Sequence, residues 1–185
     1  MIGRLVLVKH SHPHIEPDVP AAGWRLDDEG HARAVRLASR LRTFTARRIV
    51  TSIEPKAHET ADIVGRELGL PVEPVRGLHE HDRNDGPFLG AEDFDRSVAM
   101  LFARPRELVF GNETAEQAAR RFATAIDRAL REETASDAIV VAHGTVISLF
   151  CSPADPLTLW KRLGLPSYVV LSLPARAILD VVDRV

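Results

Sequence analysis

The 185-residue sequence predicts a single α/β domain, residues 1–185, built on a mostly parallel central sheet. Three observations carry that expectation. Short, continuous apolar runs occur at Leu5-Val6-Leu7-Val8, at Arg48-Ile49-Val50-Thr51 and at Ala138-Ile139-Val140-Val141-Ala142, the pattern of strands buried on both faces. Each run precedes a polar cluster and then a helix-like stretch, which is a βα rhythm. At this length, 45% hydrophobic and 27% charged side chains suffice for one core without external staples.

The elements follow in order. After the Leu5–Val8 strand, Asp27 or Asp28 caps a helix whose apolar face carries Ala34, Leu37, Ala38 and Leu41. After the second strand, Glu54-Pro55 opens a helix carrying Ala57, Ala61, Val64 and Leu68, and Gly69 stops it. Val72 to Val75 reads as a short strand. A long helix runs from about Thr114 to Glu133, with Ala118, Phe122, Ala125, Ile126 and Ala129 as its stripe and Thr114 with Gln117 as a capping box. The Ala138 to Ala142 strand comes next. After Pro166, Tyr168 to Leu173 and Ala177 to Val182 read as an antiparallel pair at a sheet edge, divided by Pro174. The stretches from Ser11 to Leu26 and from His79 to Asp95 hold prolines and glycines with little periodicity, and read as functional surface loops.

Composition excludes several classes of partner. A formal net charge of -2 is not the basic excess that nucleic acid or an anionic membrane demands, so neither is expected as a partner. One cysteine, Cys151, precludes an intrachain disulfide, and the opening MIGRLVLVKH lacks the features of a secretory signal, so the cytoplasm is the expected location. No run approaches the roughly 20 apolar residues of a spanning helix.

In open α/β sheets, ligands gather outside the carboxyl ends of the strands. Four such turns here carry reactive side chains: Lys9-His10-Ser11, Ser52 to Lys56, His79-Glu80-His81 and His143-Gly144-Thr145. Two histidines, two lysines, a glutamate and several hydroxyls are a workable set for attack on a phosphoryl group. Neutral imidazole is nucleophilic, ammonium groups neutralise phosphate oxygens, and a carboxylic acid protonates a departing alkoxide.

These residues resemble the histidine phosphatase superfamily, the phosphoglycerate mutase-like family. Its strand ending in Arg-His-Gly reads Lys9-His10-Ser11 here. Its serine-serine-proline block with arginine-alanine and glutamine-threonine-alanine is similar to Thr51-Ser52-Ile53-Glu54-Pro55-Lys56-Ala57-His58-Glu59-Thr60-Ala61, with Lys56 in the arginine place. Leu78-His79-Glu80 resembles the segment that supplies the acid, Val140 to Gly144 the late histidine-glycine block, and Leu26 to Gly30 a helix entry.

The resemblance spans nearly the whole chain in collinear order. It implies a three-layer α/β/α sandwich and a phosphomonoester hydrolase of the phosphatase branch. In that reading His10 is the nucleophile, Glu80 the proton donor, and Lys9, Lys56 and His143 hold phosphate, with Ser11, Ser52, Gly144 and Thr145 as further candidate contacts. The partners would be a small phosphorylated substrate and inorganic phosphate, with no metal or organic cofactor. The chain departs from the pattern in having lysine for both arginines, serine after the nucleophile, and Pro13 where a hydroxyl residue often stands. A lysine is a point charge without the planar fork of arginine.

Other readings compete. Asp82 and Asp85 rival Glu80 as the acid. The His10-His12-His14 and His79-Glu80-His81-Asp82 runs suggest a metal-dependent hydrolase, and the lost arginines suggest a weak or inactive phospho-ligand-binding scaffold. His12 and His14 are expected at the pocket mouth, and Trp24, Phe88, Phe94 and Phe102 are candidates for an apolar wall around the non-phosphate part of a substrate.

Overall fold

In the computed structural model, residues 3–84, 86–131 and 136–185 are described. Asp85 and the end of the predicted long helix at Glu133 lie outside them. The strands are β1 (Arg4–Lys9), β2 (Ile49–Thr51), β3 (Val72–Pro74), β4 (Ala138–Ala142), β5 (Ser167–Ser172) and β6 (Ile178–Val182). Among the described residues they form one sheet in the order β3-β2-β4-β1-β5-β6. β1, β2, β3 and β4 pair in parallel, β5 runs antiparallel to β1, and β6 antiparallel to β5. The two C-terminal strands are thus the antiparallel edge pair that Pro174 predicts.

The helices are α1 (Asp28–Leu41), α2 (Pro55–Leu68), α3 (Ala91–Ala103), α4 (Ala115–Leu130), α5 (Gly144–Cys151) and α6 (Pro156–Arg162). Strand residues alternate between two cores, as period-2 side-chain placement requires. Val6, Val8, Ile139 and Val141 pack with Leu37, Leu41, Ala57 and Val64 of α1 and α2. Leu5, Leu7 and Val140 pack with Phe122 and Ile126 of α4 and with Val146 and Ile147 of α5. Helices therefore cover both faces of the sheet, which makes the three layers.

The caps follow local chemistry. Asp27 accepts the Gly30 amide at 2.7 Å at the start of α1, and Thr114 and Gln117 form a reciprocal capping box on α4. Gly69 ends α2 at φ 69°, where a side chain would be strained. α3 lies in the segment whose sequence reads as loop up to Asp95. It buries only Val98 and Leu101, so its sequence carries little helical period. No described helix is long and apolar enough to cross a membrane.

Candidate active site

Four strand-to-helix turns meet at the carboxyl end of the parallel strands. His10 follows β1, its amide donating to the Ala142 carbonyl of β4 at 3.0 Å. Its side chain is 7% exposed, and Nδ1 lies 2.7 Å from the Ser11 carbonyl oxygen. A carbonyl can only accept, so Nδ1 carries the proton and Nε2 keeps its lone pair. Burial first, then the proximity of His143 and Lys56, pushes the His10 pKa well below its ordinary value. The ring is a neutral base at pH 7 and lines an open cleft.

His143 follows β4 with its ring centroid 5.2 Å from that of His10. Ser52 Oγ accepts the Glu54 amide at 3.2 Å and lies 2.8 Å from His143 Nε2. A hydroxyl oxygen can accept twice, so Oγ bonds Nε2 as donor or as acceptor according to the His143 tautomer. His143 Nδ1 is buried without a hydrogen-bond partner, a costly state that an arriving polar group would relieve. Burial and Lys56 hold the His143 pKa far down as well.

Three cations surround this pair. Lys9 Nζ donates to the Leu163 carbonyl at 2.7 Å, and burial pushes its pKa down to about 8 against the charge of Glu80. Lys56, in the first turn of α2 and 5% exposed, donates to the Ala21 carbonyl at 2.7 Å and to the Glu54 carboxylate. Arg83 stands over the Phe94 ring, 4.1 Å from its centroid, and faces Glu80 and Glu54.

Glu80 lies at the N-terminus of α5. Its carboxylate accepts the amides of Thr145 at 3.1 Å, Val146 at 3.3 Å and His81 at 2.9 Å. Burial alone would raise its pKa. His143, Arg83 and the Thr145 and His81 amides outweigh it and hold the carboxyl below its ordinary value. The sequence pattern of the histidine phosphatase superfamily, branch 1, matches residues 7–173. The chain belongs to that superfamily.

Solved structures carry the same fold. A mycobacterial glucosyl-3-phosphoglycerate phosphatase has a TM-score of 0.79 at 19% identity, covering 100% of both chains. The Bacillus stearothermophilus protein YhfR has a TM-score of 0.78 at 19% identity, covering 99% of this chain and 98% of its own. An Entamoeba histolytica phosphoserine phosphatase mutant, in complex with phosphoserine, has a TM-score of 0.77 at 14% identity, covering 97% of this chain and 96% of its own. No curated protein matches the sequence.

Within the superfamily fold, His10, His143, Lys9, Lys56, Glu80 and Gly144 come together, and the other candidates have tasks inside the protein. The Ser11 hydroxyl donates to the Gly30 carbonyl at 2.7 Å and its amide to Thr60 Oγ1 at 2.9 Å, tying the β1 turn to α1 and α2. Ser52 orients His143, and the Thr145 amide serves Glu80. Asp82 bonds Asn84 at 3.0 Å in the outer loop. The alternating histidines part: His12 Nδ1 pairs with Asp27 at 2.7 Å, and His81 Nε2 meets the Glu113 carbonyl at 2.7 Å. Among the described residues no three His, Cys, Asp or Glu side chains gather as a metal site. His12 lines the cleft and His14 does not. Trp24, Phe88 and Phe94 line it too, whereas Phe102 packs against the hydrophobic core.

Two site residues escape the sequence reading. Glu54, there only the opening of a helix, is a buried carboxylate that holds Lys56, accepts the Glu80 amide at 2.8 Å and approaches His143 Nε2 to 3.7 Å. Arg83 is the sole Lys or Arg between His79 and Asp95, a signal that composition alone contains.

Proposed function

We propose that the chain hydrolyses phosphomonoesters without a metal, through a phosphohistidine on His10. Superfamily membership supports phosphatase chemistry, and a mycobacterial glucosyl-3-phosphoglycerate phosphatase of the same fold is known in complex with inorganic phosphate. The observation that carries the finer reading is a bare, neutral Nε2 on His10 beside a buried, unpartnered Nδ1 on His143. One nitrogen suits attack on phosphorus and the other suits a phosphate oxygen.

In the first step Nε2 of His10 forms a bond to phosphorus as the ester P–O bond breaks, and Glu80 gives its proton to the leaving oxygen. In the second step water attacks phosphorus, the N–P bond breaks, and the water proton returns to Glu80. Lys9, Lys56 and His143 hold the equatorial oxygens. As point charges, the two lysines forgo a bidentate grip, which costs roughly 1 to 3 kcal/mol of transition-state stabilisation.

Glu80 becomes an acid only when substrate arrives. Without it, Lys9, Lys56 and Arg83 against Glu54 and Glu80 leave a surplus of one positive charge. A phosphate dianion reverses that surplus and favours uptake of one proton, for which the carboxylate beside the leaving oxygen is the available group.

Hydrolysis of para-nitrophenyl phosphate by wild type and His10→Ala, with EDTA from pH 5 to 8, tests the reading. Chelator-resistant turnover that falls on the order of 10³-fold or more in His10→Ala is expected, together with an acid-labile phosphoenzyme in wild type. Loss of turnover in EDTA would overturn metal independence. Phosphate binding without turnover would make the site a phospho-ligand scaffold.

A further inference from the structure

The cleft over His10 encloses about 880 Å³, near the top of the roughly 300–1,000 Å³ range of small-molecule sites and far more than a phosphate fills. Its walls are apolar and aromatic. Trp24 and Phe88 make one pair, with ring centroids 6.4 Å apart, and Phe94 and Trp160 another at 5.9 Å. Phe88 is 48% exposed and Ile15, from the loop after β1, is 52% exposed. Apolar surface held open beside a polar floor is surface that a ligand can cover.

The polar groups of Trp24 and Ser97 on these walls are already bonded within the protein. The Trp24 indole N–H donates to the Glu16 and Val19 carbonyls, both at 3.0 Å, and the Ser97 hydroxyl to the Asp93 carbonyl at 2.7 Å. The described cations of the cleft, Lys9, Lys56 and Arg83, sit at the phosphate end, whereas the charged described residues lining it elsewhere are Asp18 and Asp95. A substrate with a second anionic group would meet acidic side chains there. A sugar would find acceptors for a few hydroxyls at Asp18 and Asp95 but would press its others against the rings, and each unpaired polar group carries a desolvation cost.

We propose that this site takes phosphomonoesters of bulky, uncharged, apolar alcohols, the phosphate resting on the His10 floor and the apolar body between the two aromatic pairs. The assignment rests on the phosphatase reading for its reaction, but not for its binding preference.

Two pairs of substrates test it. Octyl phosphate and glucose 6-phosphate both release primary alcohols, so their kcat/KM ratio reports recognition of the alcohol; the expected preference for octyl is about 10- to 100-fold. 1-Naphthyl phosphate against phenyl phosphate tests an aryl body in the same way. A preference in either pair supports the proposal and shows whether chain or ring is favoured. No preference in both, or a preference for glucose 6-phosphate, overturns it. Phe88→Ser lies in an exposed loop, and it is expected to cut the octyl preference at least about fivefold, chiefly through KM; an unchanged preference counts against the wall.

If no ester turns over, the phosphatase reading fails and binding decides the ligand class. The two tryptophans of the chain both line the cleft, so octylphosphonate is expected to blue-shift their emission saturably, with inorganic phosphate competing. Saturation by glucose 6-phosphate and none by octylphosphonate would overturn the proposal.

Discussion

A buried cation serves an anion only while it keeps its proton, and at Lys9 that condition has an upper pH. Burial pushes the ammonium down to about 8, so Lys9 is charged below that pH and neutral above it. The free enzyme's kcat/KM is expected to fall as pH climbs through about 8. Lys9→Arg keeps its charge there and is expected to move that limb up by at least about one unit; a limb left in place in a pH profile would assign it to another group. Glu54 acts from the opposite side. Its carboxylate lies on Lys56 and near His143, the ground an incoming phosphate needs. Glu54→Gln removes the competing charge while Lys56 keeps the Ala21 carbonyl, so the inhibition constant of inorganic phosphate at pH 7 is expected to drop roughly three- to tenfold. An unchanged or weaker phosphate affinity would show that the carboxylate organises the site without competing for it. Lys9, His10 and His143 are legible from sequence because each follows a continuous apolar run. Their partners are not: whether Ser11 faces substrate or Gly30 depends on where α1 lies, which no local pattern states.

Elements with a strong period are legible, and those that owe their form to neighbours are not. Leu5 to Val8 and Ala138 to Ala142 read as strands because both faces are buried, and α1, α2 and α4 carry full apolar stripes with caps. α3 buries only two side chains, and α6, at seven residues, spans too few turns for a period to emerge. The junction of β4 and α5 shows how an element shapes the site. A Cβ built on Gly144 would meet Lys9 Cε at 3.1 Å and Nζ at 3.3 Å, so the bare glycine lets the ammonium pass the helix N-terminus toward Leu163. Gly144→Ala improves helix propensity by up to about 1 kcal/mol but crowds Lys9. The expected result is an unchanged or slightly higher Tm with kcat/KM lowered roughly three- to tenfold. Full activity in the variant would mean that the position of Lys9 tolerates the shift.

Across the whole molecule, the two ends of the sheet divide the work. The carboxyl ends of the parallel strands gather Lys9, Lys56 and Arg83 in a chain whose formal net charge is -2, so attraction for an anion is local and invisible in composition. The opposite end is fastened by Asp137, just before β4. Its carboxylate accepts from the Arg4 amide at 2.9 Å, Arg4 Nε at 3.0 Å and Nη2 at 2.7 Å, and from the Thr45 amide at 2.9 Å, joining the start of β1 to the loop before β2. Burial would raise the pKa, but the hydrogen bonds from Arg4 and Thr45 win and lower it from 3.8 to about 2. A carboxyl whose pKa is depressed on folding stabilises the fold above its unfolded value and loses that contribution as pH falls toward the folded value. The shift corresponds to about 2 kcal/mol at neutral pH. Asp137→Asn is therefore expected to lower Tm at pH 7 by about 4 to 8 °C, with the deficit shrinking to about half at pH 3. Because this staple lies across the sheet from His10, kcat/KM of the folded variant is expected to stay at the wild-type level. A Tm deficit that persists undiminished at pH 3 would place the contribution of Asp137 in packing and not in its charge.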